Sequence, residues 1–566
     1  MQSELPPIWD EEVDVLVVGS GAGSMVAAAT AAQQGATTLV IEKTSMYGGT
    51  SATCGGGIWI PASHSAKAQD QEDSPEEALE YLTHLIGNEV PRVKLESYVN
   101  NASKMAEHVE SISGLRFNAI PYTDYHAELP GGKMGYRSHE TNTLDARELP
   151  AEDFQTLRPT HPSAALFGFI PWTTLEAAPM VTRAPGWLTT MIKIIWRYAS
   201  DIPQRLRSRR SRFLVFGNAI IGHLKLALNK YNGKLWLNAP LNELYRDESG
   251  RVVGAVIELN SQKLNIKVNN GVILGAGGFE RNQEMRDQYL PGETQAEWSG
   301  GMEGNTGDTI NIAAKIGAAT DLMEHAWWTP VVKVDSEDRG RPLFYERALP
   351  GNIIVDQNGE RYTNEARSYD VVGKAMIDAS LSGRPTIHSW IIFDRKFRMN
   401  YPMGPMLPLI PDWLHPASVR RMFKRARSLT ELANQINVEP ETLEQTVSKF
   451  NEFARTGNDI DFHRGDAAYD QYYGDHNVSP NPNLAVIEKA PYYAVPVYPG
   501  EIGTKGGLAT DEFARALDTD GDVIDGLYVI GNNSASVMGS AYPGAGSTLG
   551  PAMTFGYVAA LDALNV

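Results

Sequence analysis

An apolar run at residues 13–18 breaks into a glycine turn, resumes as an alanine-rich stretch of helical period, and returns as a second apolar run at residues 38–41. This alternation predicts strand, helix and strand in one parallel unit. Later stretches repeat the apolar strand signal. Residues 250–258 (GRVVGAVIE) and 270–282 (NGVILGAGGFERN) read as a strand pair and then a strand ending in Gly275-Ala276-Gly277-Gly278. DGLYVIGNN, residues 525–533, is another strand ending in glycine and asparagine, and TFGYVAALDAL follows as a closing helix with Pro551 expected as its first residue. Between these, residues 363–376, 428–457 and 477–486 alternate helical periods with turns. The pattern predicts an α/β fold in which a Rossmann-like domain is assembled from both ends of the chain around an inserted α+β domain.

The turn in the first unit carries candidate chemistry. Gly19 permits the tight turn, Gly21 lets the backbone approach a pyrophosphate, and the helix N-terminus presents its amides to that phosphate. Glu42, about twenty residues on, stands where a ribose hydroxyl needs an acceptor. Ser24 occupies the last position of the glycine pattern, where Gly or Ala is usual, and is small enough for close packing.

Composition narrows the partners. With 566 residues, two or more domains are expected; 50 Lys+Arg against 68 Asp+Glu gives a net charge of −18, which argues against nucleic acid. Cys54 is the one cysteine, so an intramolecular disulfide or a cysteine-based metal site is excluded, and no histidine pair has metal-ligand spacing. The start MQSELPPIWDEEV has neither a basic region nor an apolar run, and no apolar stretch is long enough to cross a membrane. A cytoplasmic protein is expected, or one held peripherally on the inner face of the cell membrane.

Residues 183–212 depart from the general acidity: Arg183, Lys193, Arg197, Arg205, Arg207, Arg209, Arg210 and Arg212 stand against Asp201 alone. Trp187, Met191, Ile194 and Tyr198 fall on one helical face. That face suits a helix lying in a membrane interface, or one packed on its own domain with a solvated basic loop beside it.

EKTSMYGGTSATCGGGIWIP, residues 42–61, resembles the segment that wraps FAD in the fumarate reductase and succinate dehydrogenase flavoprotein superfamily. YTDYHAELPGG, RYTNEARSYDVVGKAM, FHRGDAAYD, IGTKGGLATD and GNNSASVMGSAYPGAGSTLGPAMTFGY are most similar, within it, to 3-ketosteroid Δ1-dehydrogenases. The resemblance implies non-covalent FAD, a 3-ketosteroid substrate, and a quinone or other electron acceptor. It implies an FAD-binding domain at residues 1–326 and 504–566 and a substrate domain at 327–503. Flavin contacts are expected from Gly19, Gly21, Ala22, Gly23, Ser24, Glu42 and Lys43, and from Gly49, Thr50, Ser51, Gly55, Gly56 and Gly57. Further contacts are expected from Ala276, Gly277, Gly278, Asn305, Gly307, Asp308, Gly531, Asn532, Leu549 and Gly550. The active site implied is Tyr125, Tyr369, Tyr542 and the backbone of Gly546; His126 stands where the family often has a second tyrosine.

Forming the C1–C2 double bond of a 3-ketosteroid removes a C2 proton and passes a C1 hydride to flavin N5. Polarising the 3-keto oxygen takes a phenol and an amide, expected to be Tyr542 and Gly546. Tyr369 is the expected base, with Tyr125 hydrogen-bonded to it. The helix start from Gly550 to Met553 is expected to abut the isoalloxazine ring, where a helix N-terminus favours negative charge. His463 is expected to serve as a structural hydrogen-bond partner, and Trp327 and Trp328 as apolar wall. Two other reactions remain: desaturation at C4–C5, and fumarate-reductase-like chemistry, for which Lys505 is the only cation of IGTKGGL.

Overall fold

The computed structural model describes residue 6 and residues 8–181 and 185–566; Arg183, from the basic segment, lies outside the described residues. The strand Glu11–Val18 sits inside an eight-stranded sheet, parallel to Thr38–Glu42 on one side and to Gln262–Leu274 on the other. Val523–Val529 and Lys234–Leu237 extend the parallel run outward. Val15, Leu16 and Val17 are fully buried, as a strand covered on both faces must be, which explains why the run is continuously apolar and not alternating.

The helix Ala22–Gln33 has no polar stripe because it too is enclosed, between the sheet and the closing helix Leu549–Ala563. Gly23 and Gly556 allow that approach: a Cβ on Gly23 would lie 2.4 Å from the Ala552 carbonyl, and one on Gly556 2.3 Å from the Gly23 carbonyl. Ser24 does more than stay small, since its Oγ donates to the Gly275 carbonyl at 3.1 Å and ties the helix to the neighbouring strand end. The closing helix begins at Leu549, before the expected Pro551. Proline still falls in the first turn, where its missing N–H leaves no intrahelical bond unmade.

A second, six-stranded sheet is antiparallel. It runs Arg341–Pro342, Ala326–Val332, Tyr492–Thr504, Ser389–Asp394 and Asn352–Val355, with Lys424–Ala426 also paired to the long strand. Ala326 and Thr504 face each other at the end of this sheet nearest the first.

The helix Trp187–Ala199 corrects one expectation. Ile194 is fully buried, and Met191, Ile195 and Tyr198 pack with it against Leu166, Ile170 and Trp172. The face expected to enter a membrane therefore points into the protein. Arg197 pairs with Glu176 at 2.6 Å, Arg212 with Asp201, and Arg210 stacks over Phe154 at 4.4 Å. Outward instead are Leu188, Ile192 and Trp196, the last 72% exposed. WLTTMIKIIWRYA is apolar on two stripes, so periodicity alone does not say which one meets the protein.

Candidate active site

A cavity of about 710 Å³ joins the C-terminal ends of the parallel strands to the antiparallel sheet. Its nucleotide end is made largely of main chain. Gly21 precedes the helix Ala22–Gln33 without any side-chain cap, so the amides of that helix start are presented to the cavity. Ser51 Oγ accepts one of them, from Ala22, at 3.1 Å. Glu42 is buried, its carboxylate oriented by Ser20 Oγ at 2.6 Å and by the Thr44 amide at 2.9 Å. Lys43 Nζ reaches Asp308, and Asn305 Nδ2 reaches Thr50 Oγ1 at 3.0 Å. An uncapped helix start, a glycine-lined floor and an oriented carboxylate fit the diphosphate and ribose of FAD.

Of the expected flavin contacts, all but Gly278 and Gly550 line the cavity. Gly278 makes room for Thr504, whose Oγ1 accepts the Phe279 amide at 3.1 Å; a Cβ there would lie 2.0 Å from that oxygen. Gly550 packs on the main chain of Trp59, 2.4 Å from a Cβ position. At the start of the closing helix the wall is Leu549 and Ala552, which replaces the expected stretch from Gly550 to Met553. The helix has no side-chain cap either, so a second helix N-terminus is aimed at the same space.

The other end of the cavity is phenolic. Tyr125, Tyr369 and Tyr542 come from three distant parts of the chain, with ring centres 5.5 Å apart for Tyr125 and Tyr369, 5.1 Å for Tyr125 and Tyr542, and 5.4 Å for Tyr369 and Tyr542. Burial pushes all three phenols above their ordinary value. The two rings meet edge to face, at 75°, and the Tyr125 hydroxyl is buried. A hydrogen bond from the Tyr125 side chain holds the Tyr369 phenol down against the burial that raises it.

Tyr125 and Tyr542 share a scaffold through Pro543 and Trp59, and Tyr369 has its own. Tyr125 donates its amide to the Pro543 carbonyl at 2.9 Å, and its neighbour Asp124 accepts from Trp59 Nε1 at 2.8 Å and pairs with buried Arg137 at 3.0 Å. Burial lifts Asp124 to about 6 even though Arg137 and these hydrogen bonds pull the other way. Tyr369 opens the helix Tyr369–Leu381, and the chain before it is fixed by buried Glu365, which pairs with Arg361 at 2.8 Å and Arg464 at 3.0 Å. Tyr542 lies in a loop clasped by Tyr81 at Pro543, by Ser138 Oγ at Ala545, and by the Trp59 amide at Gly546. Gly546 has φ +98°, and a Cβ would sit 2.4 Å from the Ile58 nitrogen, so only glycine fits. Its own N–H meets no acceptor among the described residues.

His463 is a structural partner with a 73% exposed ring: Nδ1 lies 3.3 Å from the Asp466 carboxylate, its amide donates to the Asp459 carbonyl at 2.8 Å, and its carbonyl accepts from Asn364 Nδ2 at 3.3 Å. The structural charge in FHRGD is Arg464. Trp327 packs on Tyr542, ring centres 4.7 Å apart, with Nε1 donating to Asn532 at 3.2 Å; Trp328, one residue on, turns to the opposite face and joins the core under the parallel sheet. Tyr122, Phe344, Tyr345, Tyr472 and Tyr473 also line the cavity and were not expected. Their signal was the aromatic density around TDYH and the Tyr472-Tyr473 pair just beyond AAYD.

Comparison with known proteins places this arrangement. The family model described as an FAD binding domain matches residues 14–549. The chain is 40% identical to the 3-oxosteroid 1-dehydrogenase of Mycolicibacterium smegmatis, over 98% of this chain and 97% of the relative. It is 38% identical to that of Mycobacterium tuberculosis over 97% of this chain and 98% of the relative. A crystal structure of 3-ketosteroid Δ1-dehydrogenase from Sterolibacterium denitrificans, in complex with 1,4-androstadiene-3,17-dione, superimposes with a TM-score of 0.94 at 45% identity, covering 98% of this chain and all of that one.

Proposed function

We propose, since this chain belongs to the FAD-binding flavoprotein family and within it to the 3-oxosteroid 1-dehydrogenases, that it is an FAD-dependent oxidoreductase forming the C1–C2 double bond of 3-ketosteroids. The observation that carries this reading is the meeting of Tyr125, Tyr369 and Tyr542 with the unpaired Gly546 amide at one end of the cavity, opposite the polar nucleotide end.

FAD, when bound, supplies the acceptor for the hydride that leaves C1. Gly19, Gly21, Ser51, Glu42 and Asn305 would hold it at the nucleotide end, and Gly55, Gly57 and Leu549 near the phenols. The rest falls to the side chains and main chain of the other end. Tyr542 Oη and the Gly546 N–H donate to the 3-keto oxygen and hold the charge that grows there as C2 loses its proton. Tyr369 Oη takes that proton as a phenolate. Tyr125 presses its ring on both and keeps water from them. Phe344, Tyr345, Tyr122 and Ile120 supply the apolar wall a steroid face requires.

Dicarboxylate chemistry fits less well, because Lys505, the cation beside Tyr542 among the described residues, faces Ala541 and Trp327 and does not line the cavity. The test is direct. Purified holoprotein mixed with androst-4-ene-3,17-dione and a phenazine or indophenol dye should bleach the dye and yield the 1,4-diene. No bleaching, or a double bond elsewhere in the ring, would overturn the assignment.

A second reading concerns where the protein works. Leu188, Ile192 and Trp196 form an exposed apolar row one helical turn apart, with Ile202 and Leu206 exposed beyond them and Lys193, Arg207 and Arg209 at its border. We infer that this row, and not the face buried on Ile194, rests in an anionic membrane interface, where each cation contributes about 1 kcal/mol. A lipid-soluble quinone is the electron acceptor such a placement would reach. No helix among the described residues is long and apolar enough to cross a membrane.

A further inference from the structure

Beside Tyr542 lies a buried charge that the chemistry above does not use. Lys505 is 1% exposed and follows the long strand Tyr492–Thr504. Its amide donates to the His325 carbonyl at 2.9 Å, which roots it where Ala326 and Thr504 pair. Its Nζ donates to the carbonyl of Ala541, the residue before Tyr542, and lies 4.3 Å from the ring centre of Trp327 and 5.9 Å from that of Tyr542. Among the described residues no carboxylate lies within ion-pairing distance of this ammonium. The negative groups that act on it are Asp370, next to Tyr369, and Glu89. Glu89 itself grips the same loop, accepting from the Ser540 amide at 2.6 Å. Asp370 Oδ1 is buried and takes no hydrogen bond.

An ammonium among aromatic rings with no counter-ion is costly, and burial lowers Lys505 to about 7. The same burial raises the phenols of Tyr369 and Tyr542. Each group alone prefers to be neutral. An ammonium and a phenolate brought close together relieve one another's desolvation.

We propose, building on the assignment of Tyr369 as base and Tyr542 as donor, that Lys505 is a positioning residue which fixes Tyr542 through the Ala541 carbonyl and provides the positive charge against which the Tyr369–Tyr542 pair becomes negative. The C2 proton goes to Tyr369 oxygen, and no bond of Lys505 forms or breaks. Among the described residues, the charged or titratable groups that act on it or lie beside it are Asp370 from the Tyr369–Leu381 helix, Glu89 from the loop after Pro75–Ile86, His325 from the approach to Ala326–Val332, and Tyr542 itself.

The experiment uses FAD-loaded Lys505→Met, Lys505→Arg and wild-type protein with androst-4-ene-3,17-dione and a dye acceptor. Lys505→Met should keep its FAD and a steroid KM near wild type, while the acidic limb of kcat/KM moves up by about one to two pH units, the range over which a nearby opposite charge acts. Turnover at neutral pH then falls by about ten-fold for each unit of that shift. Lys505→Arg keeps the charge and should leave the limb in place even if kcat drops. The double variant Lys505→Met with Tyr542→Phe should lose less than the product of the single losses. A Lys505→Met enzyme with the wild-type pH profile overturns the proposal, as does a Lys505→Arg limb displaced as far as that of Lys505→Met. Should Lys505→Met fail to retain FAD, Lys505→Gln replaces it as the uncharged variant, and a wild-type pH profile in it overturns the proposal in the same way. Absence of turnover in wild type would instead sink the functional reading on which this one rests.

Discussion

At the nucleotide end of the cavity the wall is largely main chain from several glycine-rich segments, with a few polar side chains such as Glu42 and Asn305; at the phenol end it is the side chains of residues 125, 369 and 542, brought together from distant parts of the chain. The first end binds through amides whose placement follows from a strand, a turn and a helix, so it tolerates any small residue that keeps the turn. The second depends on ring positions within a fraction of an ångström. The first end is sensitive above all to added bulk, the second to the loss of single side-chain atoms.

The largest expected effect removes a single oxygen from the phenol end. Tyr542→Phe should lower kcat by about 10² to 10³, the usual loss for one oxyanion donor, and should end exchange of the C2 hydrogens with solvent deuterium, read by mass spectrometry. Turnover within a few-fold of wild type would mean that Gly546 alone polarises the ketone. Tyr369→Phe should cost about 10² or more while leaving FAD and steroid binding intact, as for loss of a general base. Because burial lifts the Tyr369 phenol above its ordinary value, the active phenolate is favoured as pH rises, and kcat/KM in wild type should climb with pH. A flat profile from pH 6 to 9 would remove tyrosine from the role of base.

The contrast between the two ends also explains what could be read in advance. The βαβ unit, Glu42 and the segment from Gly49 to Gly57 were legible because backbone binding imposes local spacing. Tyr125, Tyr369 and Tyr542 carry no spacing, and no periodicity singles them out among the 23 tyrosines of the chain; the resemblance of TDYH, RSYD and AYPG did. Gly278 and Gly550, which the resemblance gives as flavin contacts, make room for Thr504 and Trp59, a packing role that the sequence does not distinguish from cofactor contact. The orientation of the Tyr125 and Tyr369 rings is not legible in the sequence either, since Tyr469 and Phe344 pack on them from elsewhere, ring centres 4.8 Å and 4.9 Å away.

A smaller effect is expected at the nucleotide end. Glu42→Gln keeps the shape of the side chain but loses the charge on which Ser20 and Thr44 converge. FAD affinity should fall by about ten-fold, the scale of one hydrogen bond to a charged group, with kcat unchanged once FAD is saturating. Fluorescence titration of the apoprotein measures it. A lowered kcat at saturation would show that the two ends are coupled and not separable as described.

The smallest effect on catalysis is expected from the region that belongs to neither end. Leu188, Ile192 and Trp196 stand on the helix whose other face is closed around fully buried Ile194. Changing all three to Ser removes apolar surface that touches no part of the cavity, and exposed substitutions of this kind stay within about 0.5 kcal/mol each in stability. Turnover of a soluble steroid should therefore match wild type. What should change is sedimentation with vesicles containing anionic phosphatidylglycerol: wild type pellets at low salt and the triple variant stays in solution, while Arg207→Gln with Arg209→Gln weakens binding and its salt dependence together. Substituting Met191 or Ile194 instead should disturb folding of the segment, since those side chains are in its core. If wild type remains in the supernatant at low salt, the exposed row is not a membrane surface, and the difference between the two faces of this helix concerns packing alone.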